Sequence, residues 1–193
     1  FINMDHRIDR LESITHELGK MMIPEHKIKR IPGVVAKTGA EGCTRAHINC
    51  LLDMKENGYN RVIILEDDFI FKDKYSTIAT LFNRLFSMSI KWDVIMLASY
   101  TEKLLSNNND TTTKHHDFFN FMKRVYNAQT TSGYMVSSSI LDTLLTTFQS
   151  AIDKNVPLDI EWKSLQLNHN WYMFTPKIGH QLDSYSDIEK RVS

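Results

Sequence analysis

Apolar residues recur along the chain with two different spacings, which together predict helices that alternate with strands. Steps of three and four residues, typical of an amphipathic helix, run through stretches at 8–22, 42–55, 77–88 and 140–148. Short apolar runs without that period predict strands, and the run at 62–65 is continuous and largely β-branched. We also expect short strands at 1–4, 27–31, 92–97, 124–127 and 133–136, and a helix over 157–167. This alternation predicts an α/β domain with a central, mostly parallel sheet flanked by helices.

The charge balance argues against a strongly charged partner. The chain has 23 lysines and arginines against 23 acidic residues, so no overall field draws it to nucleic acid or to a membrane. No apolar run reaches the roughly 18 residues of a membrane span. A length of 193 residues suits one domain, so we expect 1–193 to be a single catalytic unit. The strand-like start Phe1-Ile2-Asn3 is typical of a piece of a longer protein, which leaves open the compartment (cytoplasm or secretory pathway) and the oligomeric state.

Two local features add little to the functional picture. Cys43 and Cys50 lie seven residues apart in a predicted helix, roughly 10 Å along its axis, which is too far for a disulfide. We therefore expect two buried thiols. The polar stretch 106–116 contains the glycosylation sequon Asn109-Asp110-Thr111, although sequons this short often arise by chance.

The acidic cluster Glu66-Asp67-Asp68 directly follows the apolar strand at 62–65. Side chains alternate along an extended chain, so we expect Glu66 and Asp68 to face one way and Asp67 the other. The carboxyl end of a strand is where open α/β sheets bind ligands. Two carboxylates there suit Mg²⁺ or Mn²⁺, with substrate phosphates completing the coordination. A solvated acidic turn is the alternative interpretation.

Residues near the start of the chain suit a phosphorylated ligand. Arg7 and Arg10 lie three apart on one helical face, where they can hold phosphates or can equally be solvated. Asn3, at the end of the first strand, is suited to reading a base edge.

Seven short segments follow one another along the chain, and none of them is specific alone. They are FINMDHRIDR (1–10), GCTRAH (42–47), VIILEDD (62–68), WDVIML (92–97), TSGYMVS (131–137), PLD (157–159), and Gln181 with SDI (186–188). In this order they resemble glycosyltransferase family 25, which holds lipooligosaccharide and procollagen galactosyltransferases. The resemblance covers nearly the whole chain. It departs from the family at Ala46, where serine is usual, and in a shortened stretch between Val35 and Gly42.

The resemblance implies a GT-A fold, Mn²⁺ or Mg²⁺, and transfer of galactose or glucose from a UDP-sugar with inversion. It implies a glycan of lipopolysaccharide biosynthesis, or the hydroxylysine of a collagen-like protein, as acceptor. The donor contacts it implies are Asn3, Arg7, Arg10, Glu66, Asp67 and Thr131. The metal ligands are Glu66, Asp68 and, late in the chain, His180. Asp159 is the expected catalytic base with Glu161 in reserve, although acids in a first helical turn also simply complement the helix dipole.

Two other classes of function compete with this interpretation. A non-catalytic module of the same fold would bind a nucleotide-sugar or glycan without turnover. A metal-dependent phosphoryl-transfer or phosphatase domain would use the same acidic strand end and release phosphate without a glycosylated product. The second alternative leaves the other six segments unexplained.

Overall fold

The computed structural model describes residues 1–100 and 120–182, together with the backbone of Tyr185–Ser186 and Arg191–Val192. The sequon at Asn109 and the positions 187–190 lie outside the described residues.

The helices are α1 (Ile8–Lys20), α2 (Gly39–Glu56), α3 (Tyr75–Ser87), α4 (Leu141–Lys154), α5 (Leu158–Glu161) and α6 (Lys163–Asn168), with 3₁₀ turns at Glu25–Lys27 and Ser138–Ile140. The strands are β1 (Ile2–Asn3), β2 (Ile31–Pro32), β3 (Arg61–Leu65), β4 (Phe69–Phe71), β5 (Val94–Met96), β6 (Met122–Arg124), β7 (Gly133–Ser137), β8 (Trp171–Phe174), β9 (Gly179–Gln181), β10 (Tyr185–Ser186) and β11 (Arg191–Val192). In the described part of the chain, no helix is both long and apolar enough to cross a membrane.

A mixed sheet forms the centre of the molecule. Its five strands lie in the order β3-β7-β5-β8-β6; β5 and β8 are parallel, and the other neighbours are antiparallel. Strand β1 joins the β3 edge through a parallel bridge between Ile2 and Glu66, and β2 pairs with β1 in parallel. The expectation of a mostly parallel sheet is therefore wrong. A short apolar run does not fix the direction of a strand or its place in a sheet. The run at 62–65 forms β3, which lies at the edge of the five-stranded sheet with Ile63 exposed and pairs antiparallel with β7.

Helices cover both faces of this sheet. Side chains of β5 alternate between two hydrophobic clusters, with Val94 and Met96 in one and Ile95 in the other. The first cluster packs against α2, α4 and α5, and the second against α1 and α3. The expected α/β architecture, a central sheet flanked by helices, is confirmed, although the sheet is mixed.

Strands β4 and β9 form a separate antiparallel pair beside the end of β3, and this pairing brings the late strand β9 next to the acidic cluster. Its centre is the buried side chain of Phe69, which packs closely over two glycines. A Cβ atom on Gly133 would lie 2.3 Å from the Phe69 ring, and one on Gly179 would lie 2.1 Å from it. The absence of a side chain at both positions lets the β4–β9 pair pack against β7.

Candidate active site at the acidic turn

The acidic cluster forms a tight turn at the end of β3. The Glu66 amide donates to the carbonyl of Ser132 at 2.8 Å, and the Phe69 amide donates to the carbonyl of Glu66 at 3.1 Å. Because the chain turns here, the alternation expected of an extended segment is lost. A single guanidinium nitrogen of Arg10 lies 3.0 Å from both Asp67 and Asp68, so these neighbouring carboxylates share one cation.

Asp67 and Asn3 tie the acidic turn to the first strand. Asn3 donates to Asp67 at 2.8 Å and accepts from Arg30 at 3.0 Å, and both Asn3 and Asp67 are buried. Both polar ends of the Asn3 amide are thus used within the protein. A donor contact by Asn3 or Asp67 would require exchange of one of these bonds.

Asp68 is the buried carboxylate with the least complete set of partners. Its Oδ2 accepts from Arg10 at 3.0 Å and from Gln181 at 3.1 Å, whereas its buried Oδ1 has no hydrogen-bond partner among the described residues. Burial, followed by the charge of Glu66, raises the pKa of Asp68 to about 7, although Arg10 opposes the shift. A buried carboxylate oxygen without a donor is costly, and a bound cation would offset that cost.

Glu66 is held through one oxygen. Its Oε1 accepts from the Thr131 hydroxyl at 2.6 Å and lies 3.2 Å from Nε2 of His47. Burial alone would raise the pKa of Glu66, but the contacts with His47, Thr131 and Arg10 hold it below the ordinary value. One ligand atom each from Cys43, His47 and Glu66 lies within 4.8 Å of the others, so this corner also groups a thiol with an imidazole and a carboxylate.

Thr130 adopts a strained backbone conformation where several parts of the site meet. Its φ of 82° lies in the left-handed region, which a β-branched residue rarely adopts. Its amide donates to Oδ2 of Asp159 at 3.1 Å, and its hydroxyl donates to Oε1 of Gln181 at 3.1 Å. Strain of this kind costs about 1–3 kcal/mol and clusters at functional sites.

The two predicted base candidates point to different places. Asp159 reaches the Thr130 amide, and its pKa is raised by burial and further by the charge of Glu66, against the hydrogen bond from Thr130. Glu161 instead accepts from Ser150 at 2.9 Å and from Lys154 at 2.5 Å, both on α4, and the Lys154 contact lowers its pKa. The structure therefore brings Asp159, and not Glu161, to the acidic turn.

Two other predicted site residues lie at the periphery. Arg7 forms a two-bond ion pair with Asp9, at 2.9 and 2.8 Å. His180 is exposed on β9 beside Gln181, and because side chains alternate along a strand it faces away from Asp68. Their roles toward phosphate and metal stay predictions.

Three residues of the site, His47, Gln181 and Thr130, are not among the predicted donor contacts, metal ligands or bases, although the helix segment of His47 suggested donor contact or structural support. Gln181 and the GCTRAH segment with His47 carry a signal in the sequence, since both belong to the segments that carry the family resemblance. Nothing in the sequence singles out Thr130, because its strained φ depends on contacts with residues far along the chain.

Comparison with known proteins places this site within a matched region. The sequence model of glycosyltransferase family 25 (LPS biosynthesis protein) matches residues 37–162, a segment that contains His47, the acidic turn, Thr130 and Asp159. No curated protein matches the chain. Among solved structures, the chain is similar to a putative glucose-1-phosphate thymidylyltransferase from Bacillus anthracis in complex with a sucrose, at 15% identity and a TM-score of 0.43. That alignment covers 89% of this chain, which spans 65% of the other.

Proposed function

This chain belongs to glycosyltransferase family 25, and on that premise we propose that it transfers galactose or glucose from a UDP-sugar to an acceptor hydroxyl. We propose a GT-A arrangement, a divalent cation and inversion at the anomeric carbon. The observation that carries this proposal is a chain of hydrogen bonds through Gln181 and Thr130 that links Asp68 to Asp159. Glu66 lies beside it on Thr131, and one buried oxygen of Asp68 has no partner among the described residues. The acceptor proposed is a glycan or the hydroxylysine of a collagen-like protein.

The acidic turn fits a divalent metal ion. Asp68 offers a buried oxygen without a donor, and the nearby charge of Glu66 adds to the need for a positive partner. Mn²⁺ or Mg²⁺ prefers oxygen ligands of this kind, and Asp68 and Glu66 would hold it. When bound, such an ion neutralises negative charge on the departing nucleoside diphosphate.

Asp159 is the residue best placed to accept the acceptor's proton. In a single displacement, the acceptor oxygen forms a bond to the anomeric carbon while the bond from that carbon to the diphosphate oxygen breaks. The hydroxyl proton passes to a carboxylate oxygen of Asp159, whose raised pKa makes it a better base than an exposed aspartate. The Thr130 amide holds Oδ2, so Oδ1 is the oxygen proposed to face the acceptor.

Arg10 is the proposed phosphate contact. It now bridges Asp67 and Asp68, and a cation at Asp68 would compete with it for the same carboxylate. Release from Asp68 would let the guanidinium turn to a donor phosphate, which it can bind through two parallel hydrogen bonds.

Release of UDP from a panel of UDP-sugars, with Mn²⁺ and with EDTA, tests this proposal. We expect metal-dependent release from one preferred donor. Asp159→Asn should lower the rate by about a hundredfold or more, the usual contribution of a general base. Glu161→Gln is the matched control and should stay within about twofold, because that carboxylate contacts α4.

Other outcomes would identify the competing functions. Metal-dependent UDP binding without release, even with glycan acceptors present, would favour the non-catalytic module. Phosphate release without a glycosylated product would favour phosphoryl transfer. A folded protein that binds no UDP would reject the proposal altogether.

A further inference from the structure

A buried row of polar side chains runs from the core to the acidic turn. His47 on α2 is fully buried and lies against the Tyr134 ring, at 5.6 Å between centroids, and edge-on to Phe148. Its Nδ1 lies 2.9 Å from the Tyr134 hydroxyl, and its Nε2 lies 3.2 Å from Oε1 of Glu66. Packing and hydrogen bonding thus leave the imidazole one orientation.

The polar atoms of His47 can all be hydrogen-bonded within this row without a metal ion. If the Tyr134 hydroxyl donates to Nδ1, the ring proton sits on Nε2 and is donated to Glu66. Each polar atom of His47 is then satisfied, as a buried group requires. For this reason the Cys43, His47 and Glu66 group is better explained as a hydrogen-bonded support than as a separate metal site.

Glu66 receives this support on one side only. The bonds from His47 and from Thr131 both end on Oε1, and the Glu66 backbone is fixed by Ser132 and by the bridge to Ile2. In the part of the chain that the structure describes, no side chain donates to the second oxygen, Oε2, which is therefore the one left to meet a ligand in the site. Resting on the proposed function, we propose that His47, oriented by Tyr134, is a positioning residue that aims Oε2 of Glu66 at the nucleotide-sugar donor or its divalent cation.

Variants that differ in their ability to donate to Glu66 test this role. His47→Leu removes the donor at similar size, whereas His47→Gln places an amide N–H near the position of Nε2. Supporting residues of this kind typically contribute tenfold to a hundredfold to affinity or activity. We expect His47→Leu to weaken UDP binding in the presence of Mn²⁺, measured by calorimetry, and to lower kcat/KM by about that factor. His47→Gln should recover most of the loss, and Tyr134→Phe should lie between them.

A double-mutant cycle with Glu66→Gln separates positioning from general support of the fold. If His47 acts through Glu66, adding His47→Leu to Glu66→Gln causes little further loss of UDP affinity. If the two single losses of UDP affinity instead multiply in the double variant, the inference is overturned. It is also overturned if His47→Gln binds UDP as weakly as His47→Leu does. Should His47→Leu fail to fold, His47→Asn, whose amide is too short to reach Glu66, replaces it in the same comparison.

The failure of this inference can be told apart from failure of the proposed function. If the wild-type protein turns over a UDP-sugar but the losses of UDP affinity in the double-mutant cycle multiply, the proposed function stands and only the role of His47 is rejected. A wild-type protein that neither binds UDP nor releases it removes both proposals together.

Discussion

Among single residues, Asp68 shows how the demands of binding and of folding oppose each other. Its pKa of about 7 in the folded protein lies above the ordinary 3.8. The folded state therefore binds this proton more tightly than the unfolded state does. The cost of ionisation is absent below pH 3.8, grows as the pH rises, and is fully present above pH 7. The shift corresponds to a ceiling of about 4 kcal/mol.

Asp68→Asn should therefore increase the free energy of unfolding at pH 8, and the gain should shrink at pH 5. Urea unfolding at both pH values, in EDTA to remove divalent cations, measures this difference. Asp9→Asn is the control, because it should lower the free energy of unfolding where Asp68→Asn raises it. The pKa of Asp9 is lowered to about 2 by its bond to Arg7, so this exposed carboxylate favours folding above pH 3.8. An Asp68→Asn protein less stable than wild type at pH 8 would contradict the argument.

Thr130 permits a second test on a single residue. At its left-handed φ, an alanine should destabilise the protein more than a glycine, the reverse of the usual order of stability. Both Thr130→Ala and Thr130→Gly remove the hydroxyl bond to Gln181. Only glycine adopts a φ of 82° without strain. We expect the alanine variant to be less stable than the glycine variant by about 1 kcal/mol in urea unfolding. Equal stability, or a more stable alanine variant, would show that Thr130 is unstrained.

At the scale of secondary structure, the hydrophobic pattern predicted the long elements better than the short ones. Helices α1, α2, α3 and α4 follow the predicted segments, because a buried stripe constrains many residues at once. Strand β3 coincides with the apolar run at 62–65, although Ile63 is exposed. The helix expected over 157–167 divides at Trp162 into α5 and α6. Strands β4, β8 and β9 were not predicted, since three or four residues are too few to show a period.

The pairing of β4 with β9 depends on the two glycines beneath Phe69. Gly179→Ala would place Cβ 2.1 Å from the ring, so we expect a loss of about 1–3 kcal/mol from overpacking. Gly19→Ala in α1 is the matched control, with no atom within 4 Å of the new Cβ, and should stabilise by about 0.5–1 kcal/mol. Thermal unfolding of both variants provides the measurement. In a Phe69→Leu background the Gly179→Ala loss should shrink, and an unchanged loss would mean that another contact is responsible.

Over the whole molecule, the candidate site draws together residues that are far apart in sequence. Arg10 from α1 meets Asp68, which meets Gln181 from β9 near the end of the described chain. The sequence placed Glu66 and Asp68 at a strand end, and the structure puts them there. Sequence spacing could not show that Arg10 forms an ion pair with Asp68 or that His47 is hydrogen-bonded to Glu66. Such contacts depend on how α1 and α2 pack against the sheet, and local periodicity does not encode that packing.

The aromatic packing behind the site gives the protein an optical reporter of its own. All three tryptophans, Trp92, Trp162 and Trp171, are buried, so each indole is shielded from water until the chain unfolds. The Trp162 ring stands edge-on to Tyr134 at 5.3 Å and to Trp171 at 4.9 Å, and it follows Asp159 by three residues. Native emission is therefore short in wavelength and shifts to the red as the core opens. Trp162 directly follows α5, so a movement of α5 on binding of donor or acceptor would change the surroundings of that indole and its fluorescence, without any added label.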